Sequence, residues 1–515
     1  MEQADFSFHG FGDRQAEAER KLAAAGLRVD EPGVQVAEGA VFSPAVNVWT
    51  PDRAASDLSF AGGIVAADGE PIDAAQLQRG RRKIRGGLDE PVSLAPAREI
   101  DEDAVYLGWM FDHFGRFLLD SLARIWFLRQ ADPSLRVVFH LPPPSKGLFL
   151  DWEPRIPGWA SRILDAFGVP PSRILVPDVS VRFRRLLVPE AAFVQGFAAY
   201  ERMVQPFQDV ASRLAAGVQP SSQPVYLSRR LLSSRRRPIV GEGVFEDVLR
   251  ENGFLVVHPE TMTFENQVRL VNAHADIFSN VGSAAHNILF ALQSPRLHLF
   301  ANGDRIPRNF HLCSALAHAP TAFVNGLDTR QRPTFDGSQS TPLVVDPSNL
   351  IDYLHEQGFL RSRVRATIAL ADPTLDDAYD EAWLYARARS AIMNAEALPA
   401  EVAADVDRRA ARSWPVSAML ALYHAQIAGD PDRARALLTQ FATLAAGAFD
   451  MNRFVHYRTE IEIIVTAIDA AIGVGADVSL NDVLARRFAL TDLAAQRRRR
   501  GMGRPADGED GDGIM

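Results

Sequence analysis

The sequence predicts an α/β fold of two units followed by a helical extension, and three observations carry that prediction. Short apolar runs alternate with segments of helical spacing from Tyr106 to Val188 and again from Val225 to Asn287, which is the pattern of open sheets flanked by helices. Between them lies Val218-Gln219-Pro220-Ser221-Ser222-Gln223-Pro224, a linker by composition. From about Pro373 onward Ala, Leu, Arg and Asp dominate and the strand signals stop. Two α/β units joined by a short polar linker suggest a cleft between them.

Taken in order, Arg14 to Ala25 reads as an amphipathic helix, and residues 34 to 98 are rich in Val, Gly, Pro and turn formers, as short strands and loops require. Tyr106 to Met110 is apolar. Phe117 to Gln130 (FLLDSLARIWFLRQ) predicts one helix with Leu118, Leu122, Ile125 and Trp126 on a shared face. Arg136 to His140 is a strand stopped by LPPPSKG, and helix Trp159 to Phe167 and strands Arg173 to Val176 and Arg184 to Val188 continue the alternation. In the second unit, strand Val225 to Leu227 precedes a helix from Glu242 to Glu251 with Val244, Phe245, Val248 and Leu249 at helical spacing. Asn252-Gly253 stops that helix before strand Phe254 to His258. Thr263 caps the next helix, with Phe264, Val268, Leu270 and Val271 on or near its buried side. Strand Asp276 to Phe278 then leads into Asn280-Val281-Gly282-Ser283-Ala284-Ala285-His286-Asn287.

The last region, WPVSAMLALYHAQIAGDPDRARALLTQFATLA, reads as helix, Gly-Asp-Pro turn, helix. It is similar to one tetratricopeptide-type unit, a surface through which a protein partner could dock. The tail from Arg497 to Met515 is poor in apolar residues and is expected to be disordered. The expected divisions are thus 1–99 (helix and β-rich segment), 100–217 and 224–365 (the α/β units), 373–475 (helical extension) and 495–515 (tail).

Composition narrows the function classes. A chain of 515 residues with 47% hydrophobic content buries full cores, and its length suggests two to four domains. Net charge −9 argues against nucleic acid as the main partner, although basic clusters stand at Arg79 to Arg85, Arg229 to Arg237 and Arg497 to Arg500. The single cysteine, Cys313, forms no intramolecular disulfide and no zinc site built on thiolate pairs, which fits a reducing compartment. The N-terminal MEQADFSFHGFGDRQAEAERK is read as neither a secretory signal nor an anchor, and no apolar run is long enough to span a bilayer. The expectation is a cytoplasmic protein without membrane insertion.

The chemistry concentrates at two strand ends. Strand Val225 to Leu227 runs into Ser228-Arg229-Arg230, so a hydroxyl and two guanidiniums leave a sheet edge, an address suited to phosphate. A strand that ends in Gly282-Ser283 and opens into a helix aims free backbone N–H groups at the same edge, where anions bind. Metal-ligand spacing is missing: the loops of the α/β units carry no Asp-x-Asp, Asp101-Glu102-Asp103 reads as a surface run, and His298, His311 and His318 are scattered. No Gly-x-Ser-x-Gly elbow supports hydrolase chemistry.

Segment 105 to 128 (VYLGWMFDHFGRFLLDSLARIWFL), together with the Tyr-Leu-Ser-Arg, Gly-Glu, Pro-Glu, Glu-Asn-Gln and Gly-Ser-Ala-Ala-His-Asn elements between 226 and 287, resembles glycosyltransferase family 61. The likeness spans roughly residues 100 to 360 and is nearest to the bacterial members described as capsular polysaccharide biosynthesis proteins. It implies a GT-B type arrangement of two Rossmann-like domains, with 100–217 on the acceptor side and 224–365 binding the nucleotide sugar. It also implies inverting transfer to a carbohydrate acceptor with no metal or other cofactor. One departure stands out: related sequences usually read His-Phe-Gly-His-Phe where this chain has His113-Phe114-Gly115-Arg116-Phe117. That leaves open another group in the second histidine's place, another acceptor, or loss of activity.

Inverting transfer needs a base for the acceptor hydroxyl, groups to hold the departing diphosphate, and a pocket that orients the anomeric carbon. Arg229 and Arg230, with the helix end at Gly282-Ser283, are the diphosphate candidates; the plain alternative is solvated surface charge. His113, Asp112 and Asp120 are the base candidates. His113 could equally cap a helix, and Asp120, among apolar neighbours, reads as an ion-pair partner of Arg116 or Arg124, each four positions away. Glu242 complements a helix dipole, or, as the resemblance implies, holds the donor or the arginine loop. Glu260 could meet ribose hydroxyls, while Glu265 and Gln267 serve as caps and interdomain hydrogen-bonders, with Gln267 also a donor-binding candidate. His286 would lie beside any anion at the Gly-Ser turn, and Asn287 would orient its ring or close the turn. The competing class is a non-catalytic glycan- or protein-binding scaffold that kept the fold.

Overall fold

The computed structural model describes residues 5–23, 26–47, 60–79, 82–84, 96–142, 156–232, 238–302, 308–328, 342–370, 374–447 and 464. Arg235, Arg236 and Arg237, most of LPPPSKG and the tail from Arg497 lie outside the described residues. Two open sheets organise the chain. The first runs in the order Ile174–Leu175, Arg136–His140, Arg98–Trp109, Val181–Pro189, Val41–Asn47, Phe60–Val65. Its first four strands are parallel, and the N-terminal strands extend it antiparallel, with Val34–Glu38 on the outer part of Val181–Pro189.

The second sheet has the order Ile239–Val240, Leu343–Val345, Thr321–Asp328, Arg296–Asn302, Asp276–Asn280, Val225–Leu227, Leu255–Val257. All pairs are parallel except Thr321–Asp328 with Leu343–Val345. The order reverses at Val225–Leu227: Leu255–Val257 lies on one side of it and the following strand, Asp276–Asn280, on the other. Parallel strands buried on both faces read as continuous apolar runs, which is why their existence was legible. The sequence reading did not foresee strands Ile239–Val240, Arg296–Asn302, Thr321–Asp328 and Leu343–Val345, nor a strand at the start of the chain. Phe6–His9 pairs in parallel with Thr321–Val324, so the start of the chain belongs to the second sheet while Gly26–Arg28 pairs with Ala198–Tyr200 beside the first.

The two sheets are not separated by a solvated linker. Ser221 N donates to Ala273 O at 2.6 Å and His274 Nδ1 meets Gln223 O at 2.7 Å, so the polar stretch is docked. One buried cluster joins Leu107, Phe114 and Phe207 to Leu227, Ile277 and Phe290. Rings cross the junction in a chain: Phe167 to Phe207 at 5.1 Å, Phe207 to Phe290 at 5.0 Å, and Phe290 to Phe264 at 5.2 Å.

The predicted single helix from Phe117 to Gln130 is corrected. A wide π turn covers Phe117–Ser121, with Leu122 N bonded to Phe117 O at 3.0 Å, and a 3-10 turn follows at Ile125–Arg129. Two side chains account for the break. Ser121 Oγ accepts Phe111 N at 3.0 Å, and the buried Arg124 donates to Pro189 O at 2.8 Å and Ala74 O at 2.6 Å. An apolar face alone does not report such tertiary hydrogen bonds. Gly108, at φ +105, makes room for that guanidinium, since a Cβ there would stand 2.6 Å from Arg124 Nη1.

The helical extension is present as Thr374–Asn394, Ala400–Ala410, Trp414–Tyr423 and Pro431–Gly447. Every residue of Trp414–Tyr423 is buried, and Gly429 at φ +66 turns the chain into the last helix. Val240 and Val344 join its core, so the extension packs on the outer strands of the second sheet. Among the described residues, no helix is long and apolar enough to cross a membrane.

Candidate active site

Strands Val225–Leu227 and Asp276–Asn280 are neighbours at the reversal of strand order, and their carboxyl ends carry Ser228-Arg229-Arg230 and Val281-Gly282-Ser283. In open α/β sheets this crevice is where ligands bind. The two predicted strand-end motifs are therefore brought together. Arg229 lies along Gly282, where an added Cβ would stand 3.4 Å from its Cδ and Nη1. Among the described residues its guanidinium makes one hydrogen bond, from Nη1 to Val281 O at 3.4 Å, and no carboxylate lies within ion-pair distance.

Beneath it sits a buried polar network of which the sequence reading held Glu242 alone, as a support of the arginine loop. Glu242 Oε1 accepts from Tyr226 Oη at 2.8 Å, Asn280 Nδ2 at 2.8 Å and Arg229 N at 3.0 Å. Burial pushes the Glu242 carboxyl up, against the pull of those bonds. One turn on, Glu246 accepts from Ser228 Oγ at 2.6 Å, Arg230 Nη1 at 3.3 Å and Arg250 Nη2 at 2.8 Å. Arg230 is thus engaged by a fully buried carboxylate, whereas Arg229 is not. The i, i+4 pair Glu242 and Glu246 on an otherwise apolar helix face was the available signal.

Glu260 follows the neighbouring strand, in the turn Pro259–Thr261. Its Oε1 is buried without a hydrogen-bond partner, and burial first, then Glu242, push its carboxyl up to about 7 against the pull of the Glu260 and Leu231 backbone N–H groups and of Arg229. Gln267 and Asn287 are bonded to each other. Gln267 Nε2 donates to Pro259 O at 2.9 Å and its Oε1 accepts from Asn287 Nδ2 at 2.7 Å, tying the Glu260 turn to the helix after Gly282. Glu265 lies in the first turn of helix Phe264–Ala273, whose cap Thr263 Oγ1 accepts Asn266 N at 3.3 Å.

The helix after the Gly-Ser turn is a 3-10 helix over Ser283–Phe290. Its opening N–H groups have no intrahelical acceptor, as at any helix start. His286 is buried in it, stacked on Phe310 at 4.6 Å, with Nδ1 3.7 Å from Cys313 Sγ. Burial lowers its pKa to about 3, with a smaller repulsion from His113, so the imidazole is neutral. The sequence placed His286 beside the turn; its contact with Cys313 was not foreseen.

The first unit meets the second here. A Cβ on Gly115 would stand 2.9 Å from Ser283 Oγ and 3.2 Å from His286 Cδ2, so the His113-Phe114-Gly115 turn packs directly on the Ser283 helix. His113 Nδ1 accepts Arg116 N at 3.3 Å, the capping geometry. Asp120, 3% exposed in its side chain, pairs with Arg116 Nε at 3.1 Å, and the Arg116 guanidinium also covers the Phe111 ring at 3.4 Å. Arg124, the other expected partner of Asp120, is hydrogen-bonded to backbone carbonyls instead. Asp112 is exposed on the same turn. Among the described residues, no group of three or more His, Cys, Asp or Glu could hold a metal ion.

Residues 114–296 match the sequence model of the family described as Glycosyltransferase 61. That segment contains Gly115, Arg229, Glu260 and the Gly282-Ser283 turn, and the match supports a glycosyltransferase enzyme acting on a sugar donor and an acceptor. No curated protein matches the chain.

Proposed function

We propose that the chain is an inverting, metal-independent glycosyltransferase of GT-B type arrangement that moves a sugar from a nucleotide-sugar donor to a glycan acceptor in bacterial surface polysaccharide synthesis, working in the cytoplasm. The observation that carries this is the Arg229 guanidinium, held at the strand-order reversal beside Gly282 with no carboxylate partner. A buried network spends Glu242 and Glu246 on the loop's backbone and on Arg230, which leaves Arg229 for an anion. In the reaction the acceptor oxygen forms a bond to the anomeric carbon as the bond to the diphosphate breaks. Arg229 and the N–H groups opening the Ser283 helix take up the developing charge. His113, across from His286, and Asp112 are placed on the acceptor side to receive the hydroxyl proton. Asp120 is committed to Arg116 and serves as a strut. The C-terminal helices offer a surface for a protein partner.

A thermal-shift screen against nucleoside diphosphates and nucleotide sugars tests the reading, with Arg229→Ala as control. Stabilisation by one nucleotide family, lost in the variant, is the expected result and names the donor for a transfer assay. No stabilisation by any nucleotide at about millimolar concentration overturns it.

A further inference from the structure

We propose that Glu260 serves the donor site as a neutral carboxylic acid, taking a proton from solvent when the donor's diphosphate binds and donating its O–H to the bound ligand. The inference deepens the reading of Arg229 as the diphosphate-binding residue and rests on it. Three observations on the site carry it.

The first is placement. Leu255–Val257 and Val225–Leu227 are adjacent parallel strands, so the Glu260 turn and Arg229 leave the same edge of the sheet side by side. The second is satisfaction. Glu242 Oε1 receives three donors, which oppose the upward push of burial on that carboxyl, whereas Glu260 Oε1 is buried and receives none, the Glu260 and Leu231 N–H groups bonding the other oxygen. A buried oxygen without a donor favours the protonated form, in which the group becomes a donor itself.

The third is the balance of charge. Arg229 and Glu242 are the charged groups that act on Glu260 directly. Helix Phe264–Ala273, on its other side, offers the neutral Gln267. His258, Glu246, Arg230 and Arg250 form the next shell, bonded largely among themselves. With both carboxylates ionised, one guanidinium faces two negative charges before any ligand arrives. A diphosphate diester adds two more. Protonating Glu260 removes one of them and turns a repelling oxygen into a hydrogen-bond donor. The folded-state value near 7 puts that uptake within reach of neutral solution.

Nucleotide sugars are suitable probes because their diphosphate diesters do not titrate between roughly pH 5.5 and 8.5. UDP-glucose and GDP-mannose would be titrated into the full chain and into Glu260→Gln across that range. In the wild type, affinity falls as pH rises above about 7, approaching about tenfold per pH unit for one proton. The permanently neutral Gln variant has a flat profile and binds more tightly than wild type at high pH. Equal slopes in the two proteins, or a flat wild-type profile, overturn the inference and leave the donor site standing. No binding of either nucleotide sugar at any pH removes the donor reading for these probes, and this inference with it.

A ligand-free measurement tests the titration separately. The folded-state value lies above the ordinary 4.5, so the folded chain holds the extra proton between the two values. Wild-type stability therefore falls relative to Glu260→Gln as pH rises from about 4.5 to about 7, and the difference is constant beyond. A melting-temperature difference that does not change with pH sinks the proposal whatever binds.

Discussion

The two ends of the second sheet handle buried polar groups in opposite ways. At the amino end, Asp276 accepts from Arg296 Nε at 2.7 Å and from His298 Nε2 at 3.1 Å, while His298 Nδ1 meets the Tyr353 hydroxyl and its ring stacks on Phe278 at 4.0 Å. Each polar group there is answered by another. At the carboxyl end, Arg229 has one long bond to a carbonyl and Glu260 Oε1 has none. Both ends belong to the same sheet, share strand Asp276–Asn280 and contain arginine, carboxylate and tyrosine, so composition does not separate them. Satisfaction does: a completed network holds the fold, and an incomplete one at a strand-order reversal is kept for a ligand.

The sharpest way to break this comparison is to remove the unanswered cation. Arg229→Ala should lower kcat/KM for sugar transfer by about 10²- to 10³-fold, the usual loss when a charge-stabilising donor is deleted. Its melting temperature should stay close to wild type, because among the described residues the guanidinium makes one long hydrogen bond and no ion pair. A large loss of stability instead would make Arg229 a structural residue like Arg296.

Glu246 lies between the two types. It is fully buried and holds Ser228 Oγ, Arg230 and Arg250 together. Glu246→Ala should destabilise the chain by about 3 kcal/mol, as breaking a buried pair does, and should weaken donor binding because Arg230 and the Ser228 loop lose their anchor. Denaturant unfolding reads the first effect and nucleotide titration the second. Normal stability with lost binding would show that the network belongs to the ligand rather than to the fold.

How much of this was legible follows from the same distinction. Strand ends, glycine turns and arginine pairs write themselves into local sequence, so the meeting of Ser228-Arg229-Arg230 with Gly282-Ser283 at one sheet edge was expected. Glu246 and Asn280 were missed because their partners lie 18 and 38 residues away, Ser228 and Glu242, and local pattern gives no register between strands. The break in the Phe117 to Gln130 helix had the same origin, in hydrogen bonds from Arg124 to carbonyls of residues 74 and 189. The pairing of Phe6–His9 with residue 321 onward is the extreme case, since no short-range signal ties the start of the chain to the second sheet.

The junction between the units gives a test of intermediate size. Gly115→Ala should cost about 1–3 kcal/mol, the range for inserting a methyl into a packed contact, because its Cβ would meet Ser283 Oγ at 2.9 Å. Activity should fall further than stability, since the displaced atoms open the donor-side helix. Equal losses in both, measured by melting and by transfer rate, would detach this contact from the site.

Acidification separates the two ends by sign. Burial pushes the Asp276 carboxyl up, but the hydrogen bonds from His298 and Arg296 outweigh it and the net shift is downward. Its stabilisation is therefore present above the ordinary 3.8 and lost as pH falls through the lower folded value. Glu260, shifted upward, favours the folded chain on the acid side of about 7. Asp276→Asn should thus narrow its stability gap to wild type below about pH 3.8, whereas the gap of Glu260→Gln changes between about 4.5 and 7. Matching pH dependences for the two variants would dissolve the contrast between the ends.

The smallest effect is expected at Tyr353. Its hydroxyl meets His298 Nδ1, and because His298 Nε2 faces the Asp276 carboxylate, Nδ1 is the acceptor and the tyrosine the donor. Tyr353→Phe removes one neutral hydrogen bond and leaves the ring, its packing against His9 at 4.6 Å and the Asp276–Arg296 pair in place. The cost should be about 1 kcal/mol, read as a small drop in melting temperature. Donor affinity and transfer rate should not change, because the carboxyl-end network shares no side chain with this one. A change in activity without a change in stability would mean that the two ends are coupled along the strands, and that the completed network also sets the geometry of the incomplete one.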